Sequence, residues 1–179
     1  SARGGCGGAL SAAETGTAYH TFLQFVALEK VTGVPALEAE AERLTEEKIL
    51  SAAGRAALNL EDIAAFWNSE PGRKIRAEAA CVRRELAFTA RFRPAELEII
   101  AGLKSAPGLA EEFVVVQGVV DLAVLLPKEI WLVDFKTDAL RREDLPGRIM
   151  TYAPQLKLYA RALEKIYSRP VTHCWLHFL

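Results

Sequence analysis

Gln117-Gly118-Val119-Val120-Asp121, followed by Ile130-Trp131-Leu132-Val133-Asp134-Phe135-Lys136-Thr137, sets two acids and a lysine in the most apolar part of the chain. Burying a charge in such runs is costly unless it is paired or binds a metal. On a strand, side chains two residues apart share a face, so Asp134 and Lys136 point the same way. Asp121 lies near the end of the preceding strand-like run. Two carboxylates and an ammonium converging on one spot make a cation site with a built-in general base. Read alone, a D-x-K also fits a plain buried ion pair between Lys136 and either acid.

Outward from this stretch the pattern is helices first, then a sheet. Leu86, Phe88 and Ala90 alternate with polar neighbours, which predicts a strand over Arg83 to Arg93. Phe113 to Leu126 exceeds the usual strand of about 5–6 residues, so a bend is expected near Gly118. Pro127-Lys128-Glu129 makes a tight turn into Ile130 to Lys136, and the three strands form an antiparallel meander. A polar stretch, Thr137 to Gly147, leads into a helix carrying Gln155 and Tyr159, and Val171 to Leu179 returns as a strand. Proline is tolerated chiefly in a first turn, and a helix that started at Pro154 would leave Tyr152 ahead of it. Helices are predicted over Glu14 to about Lys30, Ala36 to about Ala53 with a stop at Gly54, and Leu60 to Asn68 with Asn59 as N-cap. A short basic helix follows Pro71-Gly72 and runs through Ala80. The apolar stripes of these helices suit a cap packed on the sheet.

With 179 residues, 51% of them apolar and 25% charged, the chain fits one globular domain with a substantial core. No apolar run approaches a spanning helix, and the start lacks a secretory core. Cys6, Cys81 and Cys174 form no C-x-x-C pair, and an odd count argues against a disulfide framework. A reduced, cytoplasmic protein is expected, with no membrane association. The start, Ser1-Ala2-Arg3-Gly4-Gly5-Cys6-Gly7-Gly8, has no methionine and a linker-like glycine content. Residues 1–13 therefore read as a linker and 14–179 as a domain cut from a longer protein. The net charge of −1 is low for a protein that binds phosphates. Arg83-Arg84, Arg91 with Arg93, and Arg141-Arg142 either make a local basic patch or are a solvated surface.

Taken together, several stretches resemble one family. They are Glu14-x-Gly16-Thr17-Ala18-x-His20, Arg84-Glu85-Leu86-Ala87-Phe88, Gly118-x-x-Asp121, Asp134-Phe135-Lys136-Thr137-Asp138 and Tyr152-x-x-Gln155-Leu156-x-x-Tyr159. In this order they resemble the RecB-like branch of the PD-(D/E)xK nucleases, and in particular the C-terminal nuclease domain of AddA-type bacterial helicase-nucleases. The resemblance implies an α/β fold of restriction-endonuclease type, a mixed sheet flanked by helices with an N-terminal helical cap. It implies a divalent-metal-dependent DNA exonuclease acting in double-strand-break processing and recombinational repair.

Residue by residue, the resemblance implies that His20 gives a ring nitrogen, Asp121 and Asp134 give hard oxygens and Phe135 gives its backbone carbonyl to Mg²⁺, with Mn²⁺ as a substitute. Lys136 would hold or deprotonate the attacking water. Tyr152, Gln155 and Tyr159, at i, i+3 and i+7, share a helix face that could orient Lys136 and contact DNA, or else form an amphipathic helix with half-buried tyrosines. Glu85 matches a position near the metal, and an edge ion pair with Arg84 is the other reading. His173 and His177 match nothing in the family and read as structural. The implied partners are single-stranded DNA ends, a helicase region of the same polypeptide and an AddB-like subunit. Three dispersed cysteines exclude the iron–sulfur cluster of a related branch, which needs four. The alternative is a catalytically silent module that binds DNA or another chain of the same complex.

Overall fold

Ser11 opens the first helix with a capping box: its hydroxyl accepts the Glu14 N–H, and the Glu14 carboxylate accepts the Ser11 N–H at 2.8 Å. The computed structural model describes residues 10–101, 112–138 and 143–179. The glycine-rich start, Cys6 and the Arg141-Arg142 pair lie outside them. The chain divides into two compact units, one holding the described residues through Ala77 with the short segment from Lys136 and with Leu179, the other running from Glu78 to Phe135 and over 143–178.

The first unit is helical: α1 (Ala12–Phe25), α2 (Val34–Glu46), α3 (Ala52–Ala57), α4 (Leu60–Asn68) and α5 (Glu70–Ala77). Phe22, Leu37, Leu44, Ile63, Phe66 and Trp67 fill its core. The expected α4 and its Asn59 cap are present, with the Asn59 side chain accepting from the Glu61 and Asp62 N–H groups. The first helix is shorter than expected, because the chain turns extended at Val26 before a single 3₁₀ turn at Leu28–Lys30. The second ends at Glu46 rather than near Ala53. Lys48 takes the left-handed conformation (φ 61°) that glycine usually supplies after a helix, and the Ile49 and Leu50 N–H groups return to the Leu44 carbonyl. Gly54 then sits inside α3, whose cap is Ser51. Pro71-Gly72 lies within α5 instead of before it. A β-carbon at Gly72 would come within 2.2 Å of the Phe66 carbonyl oxygen, so glycine is what lets α5 lie against α4.

Glu40, on α2, is buried, 1% exposed. Its carboxylate accepts from Arg43 Nη2 (2.7 Å), Lys30 Nζ (3.0 Å) and the Ala27 N–H (3.0 Å). Arg43 also donates to the Phe25 carbonyl at 3.2 Å, tying the end of α1 to α2. The Arg43 hydrogen bond, with smaller help from Ala27 and Lys30 and against the effect of burial, lowers the Glu40 pKa from 4.5 to about 2. A carboxylate whose folded pKa lies below its unfolded value stabilises the fold fully above the unfolded value and loses that contribution as pH falls through the folded one. Glu40→Gln should therefore flatten the loss of stability between pH 4.5 and about 2 relative to wild type. Urea denaturation across that window measures it, and parallel acid limbs in the two proteins would contradict it.

The second unit carries a four-stranded sheet in the order β1-β2-β3-β4: β1 (Val82–Phe92), β2 (Val114–Leu125), β3 (Ile130–Lys136) and β4 (Val171–Phe178). β1–β2 and β2–β3 pair antiparallel, as the meander requires. The Ile130 N–H donates to Pro170 and the Leu179 N–H to Lys136, so β4 runs parallel to β3 and the sheet is mixed. The parallel return needs a crossover, which α7 (Leu145–Tyr167) supplies. α7 begins well before Pro154 and carries that proline in its interior, so Tyr152 lies within the helix. The short α6 (Pro94–Ala101) was not anticipated; Pro94 at its first position and Glu96, which accepts the Arg93 N–H at 2.7 Å, are the signals that mark it. Phe88, Phe92, Val120, Ala123, Leu132 and Leu163 share the core of this unit. No helix among the described residues is long and apolar enough to cross a membrane.

Candidate active site

β2 does not bend at Gly118. It pairs with Phe88 in an unbroken stretch of ladder, and the irregular point comes three residues later. Arg84 pairs with Leu122 and Leu86 with Val120, so Glu85 and Asp121 face each other between them, and this is the one position where the register skips a pair. Glu85 has φ 48°, a left-handed conformation that costs a non-glycine residue about 1–3 kcal/mol and concentrates at functional sites. Val120 and Ala123, three residues apart, both enter the same core cluster, although an unbroken alternation would send them to opposite faces. The break at Glu85 and Asp121 thus re-phases the pleat, as strand irregularities do where they re-aim a side chain.

The result is a pair of carboxylates with ligand oxygens within 4.8 Å of each other, in a half-buried position. Two acids this close repel unless a cation lies between them, and two hard oxygen donors suit Mg²⁺ or Mn²⁺ better than a soft metal. Asp121 is held from the other side as well. Its Oδ2 accepts the Phe135 N–H at 2.7 Å, which fixes the orientation of the carboxylate. The β2–β3 ladder runs to Leu122↔Val133, and the next pair in that register is Asp121 and Asp134. Extended by one position, that register sets Glu85, Asp121 and Asp134 in a row across three adjacent strands. Asp134 is 5% exposed, one of two charged or polar side chains buried among the described residues.

Lys136 closes β3 two residues beyond Asp134 and is half-buried. Gln155 and Tyr159 are one turn apart on α7, and the Gln155 amide donates to the Tyr159 hydroxyl at 3.0 Å. The Tyr159 ring packs edge-on against Phe88, with centroids 5.1 Å apart. His20 belongs to the helical unit, half-buried on α1. His173 stacks on Trp175, and His177 lies edge-on to Phe135. Sequence reasoning missed the face-to-face placement of Glu85 and Asp121. Two strands had to be put in register before it was visible.

A family model for the PD-(D/E)XK nuclease superfamily matches residues 5–176. The chain belongs to this superfamily. Its mixed sheet with flanking helices and leading helical segment agrees with the superfamily fold. Among curated proteins, the chain is 32% identical over 94% of its length to an ATP-dependent helicase/nuclease subunit of Bacillus cytotoxicus. It is 31% identical over 94% to the ATP-dependent helicase/nuclease subunit of the same designation in Enterococcus faecalis and 34% identical over 95% to that of Moorella thermoacetica. The chain spans only 14%, 13% and 12% of those three proteins. Within the superfamily chain, the Glu85–Asp121 pair is where a metal could be held.

Proposed function

We propose that this superfamily member is a divalent-metal-dependent DNA exonuclease, and that it works as the nuclease part of a larger helicase-nuclease. The observation that carries the reading is the row Glu85, Asp121 and Asp134, with Asp121 locked by Phe135. Asp121, Asp134 and the Phe135 carbonyl would hold Mg²⁺, or Mn²⁺ in its place, with His20 giving the nitrogen ligand that the Gly16-Thr17-x-x-His20 motif predicts and Glu85 assisting. When bound, the ion would polarise the phosphoryl oxygen and stabilise the leaving alkoxide. Lys136 positions the attacking water, takes up its proton and offsets the negative charge that grows on the phosphate oxygens. Gln155 and Tyr159 orient the reacting groups from α7. With the 3′-oxygen leaving as that alkoxide, cleavage by water leaves a 5′-phosphate.

Likeness to these ATP-dependent helicase/nuclease proteins supports DNA as substrate, single-stranded ends delivered by a helicase region of the same polypeptide, and partnership with an AddB-like subunit. The near-neutral charge supports delivery by such a region, since the domain alone binds phosphates weakly. Scattered cysteines support a reducing cytoplasm as its location. A silent DNA-binding module is disfavoured by the strained Glu85 and by two carboxylates kept within reach of one cation.

The test is end-labelled linear DNA incubated with Mg²⁺ or Mn²⁺, with and without chelator. Mononucleotides or short products should accumulate from single-stranded ends, stop with chelator and decline as salt rises. Cleavage that persists without metal would overturn the reading, as would cleavage of circular DNA as fast as of linear.

A further inference from the structure

Gly118 stands opposite Phe88 in the β1–β2 register, three residues before Asp121. A β-carbon there would lie 2.8 Å from both Cε1 and Cζ of Phe88 and 3.0 Å from Cε1 of Tyr159. Real β-carbons essentially never come as close as the two Phe88 contacts and rarely as close as the Tyr159 one, and Phe88 is buried in the core, where close packing leaves little room to yield. The missing side chain is therefore a seat. It lets the Tyr159 ring sit down on β2 in a T-shaped contact with the Phe88 ring, and the hydroxyl at the far end of the Tyr159 ring accepts from the Gln155 amide.

We propose that Gly118 is a positioning residue of the nuclease reaction, acting through Tyr159 on Gln155. The proposal rests on the nuclease reading and extends it: the glycine fixes how deeply the Tyr159 ring sits, and the ring fixes where the Gln155 side chain is held. Gly118 itself touches neither metal nor substrate. Its effect passes along one chain of contacts, Gly118 to Tyr159 to Gln155, with Phe88 as the second wall of the seat. A β-carbon at 118 pushes the ring outward and moves the hydroxyl by a fraction of a side chain's length, a displacement on the scale that enzymes register strongly in rate.

A double-mutant cycle tests this. Wild type, Gly118→Ala, Tyr159→Phe and the double variant are compared for kcat and KM on linear DNA with Mg²⁺, for melting temperature, and for the Gln155 side-chain amide resonances by NMR. Tyr159→Phe keeps the ring and removes the hydroxyl, so its melting temperature should stay near wild type. Each single change should lower kcat by about 10- to 100-fold with a smaller effect on KM. The double variant should be no slower than the worse single, because both changes act through the same hydroxyl. The Gln155 amide resonances should move in both singles. If Gly118→Ala does not fold, Phe88→Leu, which loosens the other wall, takes its place in the cycle.

Additive losses in the double variant would overturn the proposal, and so would a folded Gly118→Ala with wild-type kcat. Unmoved Gln155 resonances in Gly118→Ala would overturn it independently of cleavage. A wild-type protein that cuts no DNA would instead sink the nuclease reading, and the resonances would still decide whether Gly118 sets Gln155.

Discussion

Asp134→Ala should bind no Mn²⁺ at millimolar concentrations and should cleave linear DNA at less than about a thousandth of the wild-type rate. Asp134 is the central acid of β3, continuing the register row from Glu85 and Asp121, and its carboxylate is almost wholly buried. A metal's stabilisation of the reacting phosphate amounts to several kcal/mol. At a tenfold change for each ~1.4 kcal/mol, its loss is about 10³-fold or more. Thermal denaturation with chelator present separates this outcome from misfolding. An Asp134→Ala protein that melts well below wild type would show instead that the acid holds the strand.

Lys136→Ala should behave differently. Its proposed role is to hold and deprotonate the water rather than to ligate the ion, so metal and DNA binding should persist while the chemical step slows. Losing a group that positions and deprotonates water typically costs about 10²- to 10⁴-fold. Single-turnover kinetics with saturating enzyme read that step without product release. Lys136→Ala cutting at the wild-type rate would make the lysine a structural ion-pair partner, the other reading that a bare D-x-K allows. The fold would stand and the mechanism would not.

The strands were legible because their alternation and turn residues are strong: Pro127-Lys128-Glu129 punctuates two apolar runs, and β3 begins and ends where expected. Helix ends were less so. Lys48 closes α2 in a conformation that nothing in its chemistry advertises, and Pro154 sits in a helix interior that its missing N–H would ordinarily break. Gly118 was read as a bend because glycine in a strand often marks one. Its actual office is close approach, set by Phe88, 30 residues earlier, and Tyr159, 41 residues later, neither of which local patterning can bring together. Asp121, Asp134 and Lys136 could be picked out as charges in apolar runs. Glu85 stood out only through the family resemblance; its place opposite Asp121 lies in register and in a positive φ, and both are properties of paired strands rather than of a sequence.

The central claim is that the β1–β2–β3 row binds a divalent cation that Lys136 does not ligate. Mn²⁺ titration followed by electron paramagnetic resonance, on wild type, Asp134→Ala and Lys136→Ala side by side, tests it most directly. The account predicts Mn²⁺ bound by wild type and by Lys136→Ala with similar affinity, and none bound by Asp134→Ala. Equal binding by all three proteins, or its loss in Lys136→Ala, would contradict it.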